Sequence, residues 1–396
     1  MSTFLQQVIE KITETHGTEL HKVCLVTPNR RASLFLAKHL SSLAKKPMWA
    51  PDNISMEEFV GRITNITIQE PIELLLDFYS IYLKIEKEQP DPLEEFIKWG
   101  PLLLRDFNDI DSHVPEPEKI FANILDAKTL ETWNPDGSPP SDFQNRYLQF
   151  INKTGIYQKE FLRYLNGKGV AYQGLAYRRA ADTIQEGNIV LPWEYVYFTG
   201  FNALTEAEEI IIRTLEKRGI AKRFVDADTF YLHNPDHEAG IFLRKYYKSS
   251  PQNQIDFVGN HFKNSPKKIN IYGIAKIVNQ AKLAGNLLAK LPQQAITDNQ
   301  TAVVLINEEL LLPLLNSIPE NIDRFNVTMG YPLRKTNLYG LIDSFFQIHL
   351  TALRMGTSRQ DRGSAFYYKD ITRLLNHPLT ALLIEGNNGN IATITN

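Results

Sequence analysis

The sequence predicts an α/β fold in which parallel strands and helices are interrupted by a large all-helical insertion. Apolar strands followed by helices occur in both the first and the last third of the chain, whereas residues 71–187 show helical periodicity throughout. A length of 396 residues exceeds the usual size of one domain, so we expect two or three. The hydrophobic fraction of 43% is sufficient for each to have a core.

The first region begins with an amphipathic helix over residues 4–12, and a buried-type strand follows at Val23. Pro28 and Asn29 end this strand, and a helix begins at Arg30. Ser55 is predicted to cap the next helix, in which Phe59 packs. From Pro71 to about Gly187 the pattern is helical, apart from a polar turn at residues 134–142.

The α/β pattern returns with a strand over residues 195–198, a Thr199-Gly200 turn and a helix with a Thr205-x-x-Glu208 capping box. The strands at Val23 and Val196 are predicted to share one sheet, because neither flank alone buries both faces of its apolar strands. A further strand, residues 221–228, contains Asp226 and Asp228, which are interpreted as helix-capping or turn residues.

A second α/β region is predicted from residue 269 onward. Strands are expected at residues 269–275, at 302–306 and around Val327, with helices at 278–291 and from about Leu338. The resulting domains are residues 1–66 with 188–264 as the first lobe, 67–187 as the helical insertion, and 265–396 as an incomplete second lobe.

The residues that bind and hydrolyse nucleotides are missing. A phosphate-binding loop requires G-x-x-x-x-G-K-[ST]. No such string occurs, and Gly167-Lys168 is interpreted as part of a polar loop. The strand at 195–198 continues into Thr199 and Gly200, which carry no carboxylate for Mg²⁺ or for the attacking water. We therefore predict no ATP hydrolysis and no catalytic, cofactor-binding or metal-binding residues in this chain.

Three segments, residues 22–31, 193–215 and 325–346, in this order resemble the N-terminal, inactivated superfamily 1 helicase part of AddB/RexB-type subunits of bacterial helicase-nuclease complexes. RecC is a more distant relative of the same type. Residues 51–63, 96–114, 301–315 and 371–379 are also similar to elements of this family. The resemblance implies RecA-like lobes lacking the phosphate loop, with Ile306-Asn307-Glu308 where an active helicase has an arginine.

The resemblance also implies partners. These are a single- or double-stranded DNA end and an AddA-type helicase-nuclease subunit. It further implies a longer protein, of which this chain would be the N-terminal part, with a PD-(D/E)XK nuclease domain beyond it. Within the chain, Pro117-Glu118 followed by Asp126-Ala127-Lys128 is rejected as that nuclease signature, because the intervening residues are helical in pattern.

Candidate DNA-binding residues follow from strand ends that the resemblance places along the DNA channel. They are Thr27, Asn29, Arg30, Arg31, Ser55, Tyr331, Arg334 and Lys335. The formal net charge of −2 means that any DNA contact is local or shared with a partner. Two alternatives stay open: the basic side chains form a solvated surface, and Tyr331 only packs a turn.

The composition and the spacing of residues exclude several other kinds of site in this chain. The single cysteine, Cys24, excludes a disulfide framework, a cysteine zinc site and a four-cysteine iron-sulfur cluster within this chain. The polar segment from His233 to Glu238 matches no zinc signature and is interpreted as a loop leading into a helix. No run approaches the ~18 apolar residues of a membrane span, and the N-terminus lacks a signal-peptide core, so a cytoplasmic location is expected.

Three functions remain in competition. We favour a non-catalytic, DNA-binding scaffold within a double-strand-break repair helicase-nuclease subunit, guiding single-stranded DNA. One alternative is a nucleotide-binding or ATP-hydrolysing helicase subunit that a partner completes. The other is a pure protein-protein interaction module.

Overall fold

The computed structural model describes residues 3–44, 46–114, 119–120, 141–187, 189–249, 255–297, 301–355, 366–380 and 382. The chain forms two compact units, Met1–Lys267 and Lys268–Asn396, called here the first and second units. Residues 117–118 and 126–128, which were rejected as a nuclease signature, and most of the predicted polar turn at 134–142 lie outside the described residues. No helix in the described part is long and apolar enough to cross a membrane.

The strands of the first unit are β1 (Val23–Thr27), β2 (Asp52–Ser55), β3 (Thr67–Ile68), β4 (Val170–Ala171), β5 (Tyr195–Thr199), β6 (Ala221–Phe224), β7 (Asp226–Asp228) and β8 (Phe257–Gly259). Its helices include α1 (Phe4–His16), α2 (Arg30–Leu43), α3 (Met56–Thr64), α4 (Pro71–Ile85), α5 (Leu93–His113), α6 (Asp142–Lys168), α7 (Gln173–Glu186), α8 (Glu206–Lys217), α9 (Thr229–His233), α10 (Ile241–Ser249) and α11 (His261–Asn264).

A four-stranded parallel sheet with the order β2-β1-β5-β6 organises the first unit. Cys24 pairs with Val196 in this sheet, although the two residues are far apart in sequence. The prediction that the strands at Val23 and Val196 share one sheet is therefore confirmed, as is the α/β class. All five residues of β1 are buried, so this strand needs a neighbour on each edge and cover on both faces.

The two faces of the sheet lie against different cores, because side chains alternate along a strand. Val23 and Leu25 face a smaller core that contains residues of α1 and α2. Cys24 and Val26 belong to a larger core that continues into the helices after β3. Near its centre the ring of Phe78 lies among several other aromatic rings.

Helices α4, α5 and α6 lie, in sequence, between two short strands that pair with each other. Thr67 of β3 pairs with Val170 of β4, and Ile68 pairs with Ala171, in parallel. This two-residue ladder joins the beginning and the end of the helical segment. Helix α7 follows and packs on α3, α5 and α8.

The predicted strand at 221–228 is divided in two, which corrects the sequence interpretation. Strand β6 ends at Phe224, whose carbonyl accepts a hydrogen bond from the Gly200 amide. Strand β7 then pairs with β8 in a separate two-stranded sheet. Asp228 caps α9 by accepting from the amide of Phe230 at 2.9 Å, which confirms its predicted capping role.

In the second unit the predicted helices form, but the predicted strands do not. The described residues contain the helices α12 (Ile277–Leu288), α13 (Gln293–Thr297), α14 (Leu311–Leu315), α15 (Asn337–Met355) and α16 (Tyr368–Leu375), and no strand. The segments at 269–275, 302–306 and around Val327 pair with no other segment among these residues. Ile271 is 92% exposed and Ile306 fully exposed. The strand predictions were therefore wrong here, because β-propensity does not supply a partner strand.

Candidate nucleic-acid interface

The predicted first-lobe residues meet at the carboxyl edge of the four-stranded sheet. Thr27, the last residue of β1, pairs with Ser55, the last residue of β2. Asn29, Arg30 and Arg31 follow in the turn and first helical positions after β1. Ligands of open parallel sheets bind beyond this edge, where helix N-termini present free N–H groups.

Thr27 and Ser55 build this edge and are not exposed on it. The Thr27 side chain is fully buried, and its hydroxyl donates to the Asn29 carbonyl at 3.0 Å. Ser55 is 8% exposed, and its hydroxyl accepts from the Glu58 amide at 3.2 Å. Both hydroxyls serve hydrogen bonds that shape the turns, and a DNA contact by either residue stays a prediction.

Glu58 connects the two strand ends, and the sequence prediction did not identify it. Its carboxylate accepts from the Ser55 amide at 2.9 Å and completes the capping box of α3. A second oxygen lies 2.9 Å from Nη2 of Arg30. The bond from the Ser55 amide and the nearby Arg30 lower the pKa of Glu58, so the carboxylate is ionised at neutral pH. The Ser-x-x-Glu spacing could have revealed the cap but not the ion pair.

Helix α2 carries two arginines and no acid in its first turn. Asn29 caps the helix by accepting from the Ala32 amide at 3.0 Å. The Arg30 side chain is 81% exposed despite its bond to Glu58. Arg31 is also exposed and has no ion pair within the described part of the chain. Cations are unfavourable at the positive end of a helix dipole, so this arrangement costs stability unless an anion is bound.

The end of β5 lacks the groups of a nucleotide-hydrolysing site. Phe198 is fully buried and lies 5.5 Å from the ring of Phe59. Thr199 is 1% exposed, and its hydroxyl has no hydrogen-bond partner in the part of the chain that the structure describes. Gly200 follows with a φ of 80°, a conformation that favours glycine. Glu208 accepts from the Thr205 amide at 2.9 Å and so serves the predicted capping box of α8.

The Gly167-Lys168 pair does not lie in a loop. Both residues form the end of α6, and Gly169 caps that helix with a φ of 69°. The Lys168 ammonium lies 2.8 Å from the carboxylate of Asp77. This lysine therefore stabilises the packing of α6 on α4, which is a correction to the predicted polar loop.

Tyr331, Arg334 and Lys335 lie together in the second unit. Leu333–Lys335 forms a 3₁₀ turn, and the Tyr331 hydroxyl donates to the Lys335 carbonyl at 3.2 Å. All three predicted residues are exposed. The Lys335 ammonium lies 3.5 Å from Glu309, whereas Arg334 has no ion pair among the described residues. The hydroxyl of Tyr331 closes the turn, while its ring stays accessible for stacking.

The polar loop after α9 is organised by an arginine. The Arg244 guanidinium donates to the carbonyl of Tyr231 in α9 and to the loop carbonyls of Asn234, Pro235 and His237. His237 accepts from the Ala239 amide at 3.2 Å and begins a short 3₁₀ turn.

Across the described ranges, no three His, Cys, Asp or Glu side chains are grouped so as to hold a metal ion. Burial raises the pKa of the Cys24 thiol, so it stays protonated.

Among the described residues, the carboxyl edge thus presents the exposed Arg30 and Arg31 in the first turn of α2, and its carboxylate Glu58 is engaged by the Ser55 amide and by Arg30. A comparison with protein-family models finds no match to this chain, and a comparison with curated proteins finds none either.

Proposed function

We propose that this chain is a non-catalytic, DNA-binding scaffold within an AddB/RexB-type helicase-nuclease subunit. Its first unit is, on this proposal, a RecA-like lobe without the phosphate loop, which guides single-stranded DNA toward an AddA-type partner. The observation that carries the proposal is the pair of exposed arginines, Arg30 and Arg31, in the first turn of α2.

Electrostatics support an anionic ligand at this turn. A cation in the first turn of a helix opposes the dipole and costs about 0.3–1 kcal/mol at an exposed site. The Glu58 carboxylate offsets this cost for Arg30 but forms no ion pair with Arg31. A phosphate at the turn would interact favourably with both guanidinium groups and with the helix amides. Such contacts are independent of base sequence, as expected for a subunit that guides a moving strand.

The geometry of β5 supports a role without ATP hydrolysis. Motors of this type place carboxylates at the end of the corresponding strand. Phe198 and Thr199 stand there instead, and both are buried. The nearby Glu208 is engaged by the Thr205 amide at 2.9 Å. A partner that supplied groups in trans would still find no carboxylate for Mg²⁺ at this strand end.

A binding experiment with a fluorescent single-stranded oligonucleotide tests the proposal. Affinity is measured by anisotropy over a series of salt concentrations for the natural chain and for the double variant Arg30→Ala, Arg31→Ala. Loss of two phosphate contacts should weaken binding and reduce the slope of log affinity against log salt by up to about two. The matched control is Lys245→Ala, Lys248→Ala, which removes two exposed cations from α10.

The proposal predicts that the control binds like the natural chain. A natural chain that binds no oligonucleotide at low salt would instead favour a pure protein-protein interaction module. Equal affinity and slope in the two double variants would place any DNA path away from α2. Far-ultraviolet circular dichroism checks that each variant is folded.

A further inference from the structure

The exposed side of α2 continues the cationic first turn into an apolar surface. Its members follow the spacing i, i+3, i+4 and i+7, which places them on one side of a helix: Arg31, Leu34, Phe35 and Lys38. Leu34 is 71% exposed and Phe35 is 47% exposed. Two apolar side chains thus lie between two cations on an open surface, called here the α2 face.

Packing on the opposite side of α2 directs this face toward solvent. Leu36 is fully buried and Leu40 is 8% exposed, and both lie in the smaller core together with residues of α1. The helix cannot rotate to bury Leu34 or Phe35 without exposing these two leucines. Among the described residues the Phe35 ring makes no contact with another ring. The ring therefore stays open to a ligand.

The charges on the α2 face have a single sign. Helix α2 contains no acidic residue, and neither Arg31 nor Lys38 has an ion pair among the described residues. These two cations are seven residues apart, which corresponds to about 10 Å along the helix axis. A complementary ligand must therefore carry repeated negative charge and also present apolar surface between its charges.

Single-stranded DNA meets both requirements, because its phosphates alternate with bases whose faces are free. In a duplex the faces of the bases are covered by neighbouring bases, so an exposed ring cannot stack on them. The cations of the α2 face would contact either form of DNA, since phosphates are common to both. The Phe35 ring is the group that can distinguish the two forms.

We propose that the α2 face selects single-stranded over double-stranded DNA by stacking a base on Phe35, while Arg31 and Lys38 contact the flanking phosphates. This inference rests on the proposed function and specifies the form of DNA that the site takes. Every base has a π-face, so stacking on a ring tolerates any sequence. Leu34 adds apolar contact beside the ring.

The first test compares three fluorescent ligands of equal length by anisotropy at one low salt concentration. They are an oligothymidine, a strand of the same length with abasic residues, and a duplex. The abasic strand keeps the phosphates and removes the bases. The natural chain should bind the oligothymidine about five- to a hundredfold more tightly than the abasic strand. Equal affinity for these two strands would overturn the proposal.

Variants of Phe35 then locate the stacking. Phe35→Leu keeps an apolar side chain but removes the ring, so oligothymidine affinity should fall toward that of the abasic strand. Its affinity for the abasic strand and for the duplex should not change, and the salt slope should stay the same because no charge is lost. Phe35→Trp should restore tight binding of oligothymidine.

A matched control exists on another helix of the first unit. Phe242, in α10, is 45% exposed, so Phe242→Leu removes a ring of similar exposure. This control should bind all three ligands like the natural chain. Equal weakening by Phe35→Leu and Phe242→Leu would contradict the proposed site. If Phe35→Leu does not fold, as judged by circular dichroism, Phe35→Trp and the ligand comparison in the natural chain decide the outcome.

The failure of this inference can be distinguished from failure of the proposed function. If Phe35→Leu binds oligothymidine like the natural chain while Arg30→Ala, Arg31→Ala weakens it, the stacking is wrong and the DNA-binding function stands. If the natural chain binds no oligonucleotide at low salt, both are overturned. Binding of an amphipathic peptide of glutamate and leucine, lost in Phe35→Leu, would then assign the α2 face to an acidic protein partner.

Discussion

Reversing the charge at Arg31 separates the stability of α2 from its proposed binding role. Arg31 is the second residue of the helix, where a cation opposes the helix dipole. Arg31→Glu removes one unfavourable interaction and adds one favourable interaction, each about 0.3–1 kcal/mol. Because this side chain is exposed and salt screens it, we expect a stability gain near the lower limit, about 0.6–1 kcal/mol at low salt.

The assay is urea unfolding followed by circular dichroism at low and at high salt, together with oligonucleotide anisotropy. Arg31→Gln should give about half the stability gain, since it removes the charge without reversing it. Lys38→Glu is the matched control, because residue 38 lies beyond the first turn of the same helix. We expect the gain in Arg31→Glu to diminish with salt and to accompany weaker DNA binding. A variant that is less stable, or one that is more stable and binds DNA more tightly, would refute the reasoning.

Three other outcomes are expected from the first unit. Phe78→Ala should lower the free energy of unfolding by about 3–5 kcal/mol, because this ring is fully buried among aromatic neighbours, and denaturant titration measures the loss. Burial opposes ionisation of Glu86, but the bonds from Lys153 and Tyr157 outweigh it and lower its pKa. Its contribution to stability should therefore be present above about pH 4.3 and lost as the pH falls further, and Glu86→Gln should flatten that acid dependence. Purified chain should not hydrolyse ATP with or without DNA, and turnover that follows the protein through chromatography would contradict this.

Capping residues in the sequence correctly predicted where several helices begin. The capping box at Thr205 and the cap at Ser55 form as expected because their bonding groups are only three residues apart. That β1 and β5 lie in one sheet was also predictable, although they are distant in sequence. A strand such as β1, whose first four residues are all apolar, must be buried on both faces, and this requirement restricts its place in a sheet.

Long-range partners were not predictable in the same way. The ion pair of Arg30 with Glu58 depends on how β1 and β2 align, which neither residue type specifies. The two-residue strand beginning at Thr67 is too short to give a periodic signal. In the second unit, apolar segments such as the one containing Val304 predicted strands, yet Val304 is 84% exposed and unpaired among the described residues. An apolar sequence pattern indicates a preference for extended backbone. A segment joins a sheet only if a neighbouring strand supplies its hydrogen-bond partners.

Most polar groups at the carboxyl edge of the sheet are engaged in hydrogen bonds or an ion pair, and this limits the reactions that they can perform. Thr27 and Ser55 use their hydroxyls to hold turns, and Glu58 uses its carboxylate as a cap and as the partner of Arg30. A side chain engaged in this way is a poor general base or metal ligand, since either role would require breaking the bonds that position it. Arg31 is exposed and has no ion pair among the described residues. We therefore propose that this edge binds an anion, and the strength of that binding should depend on salt.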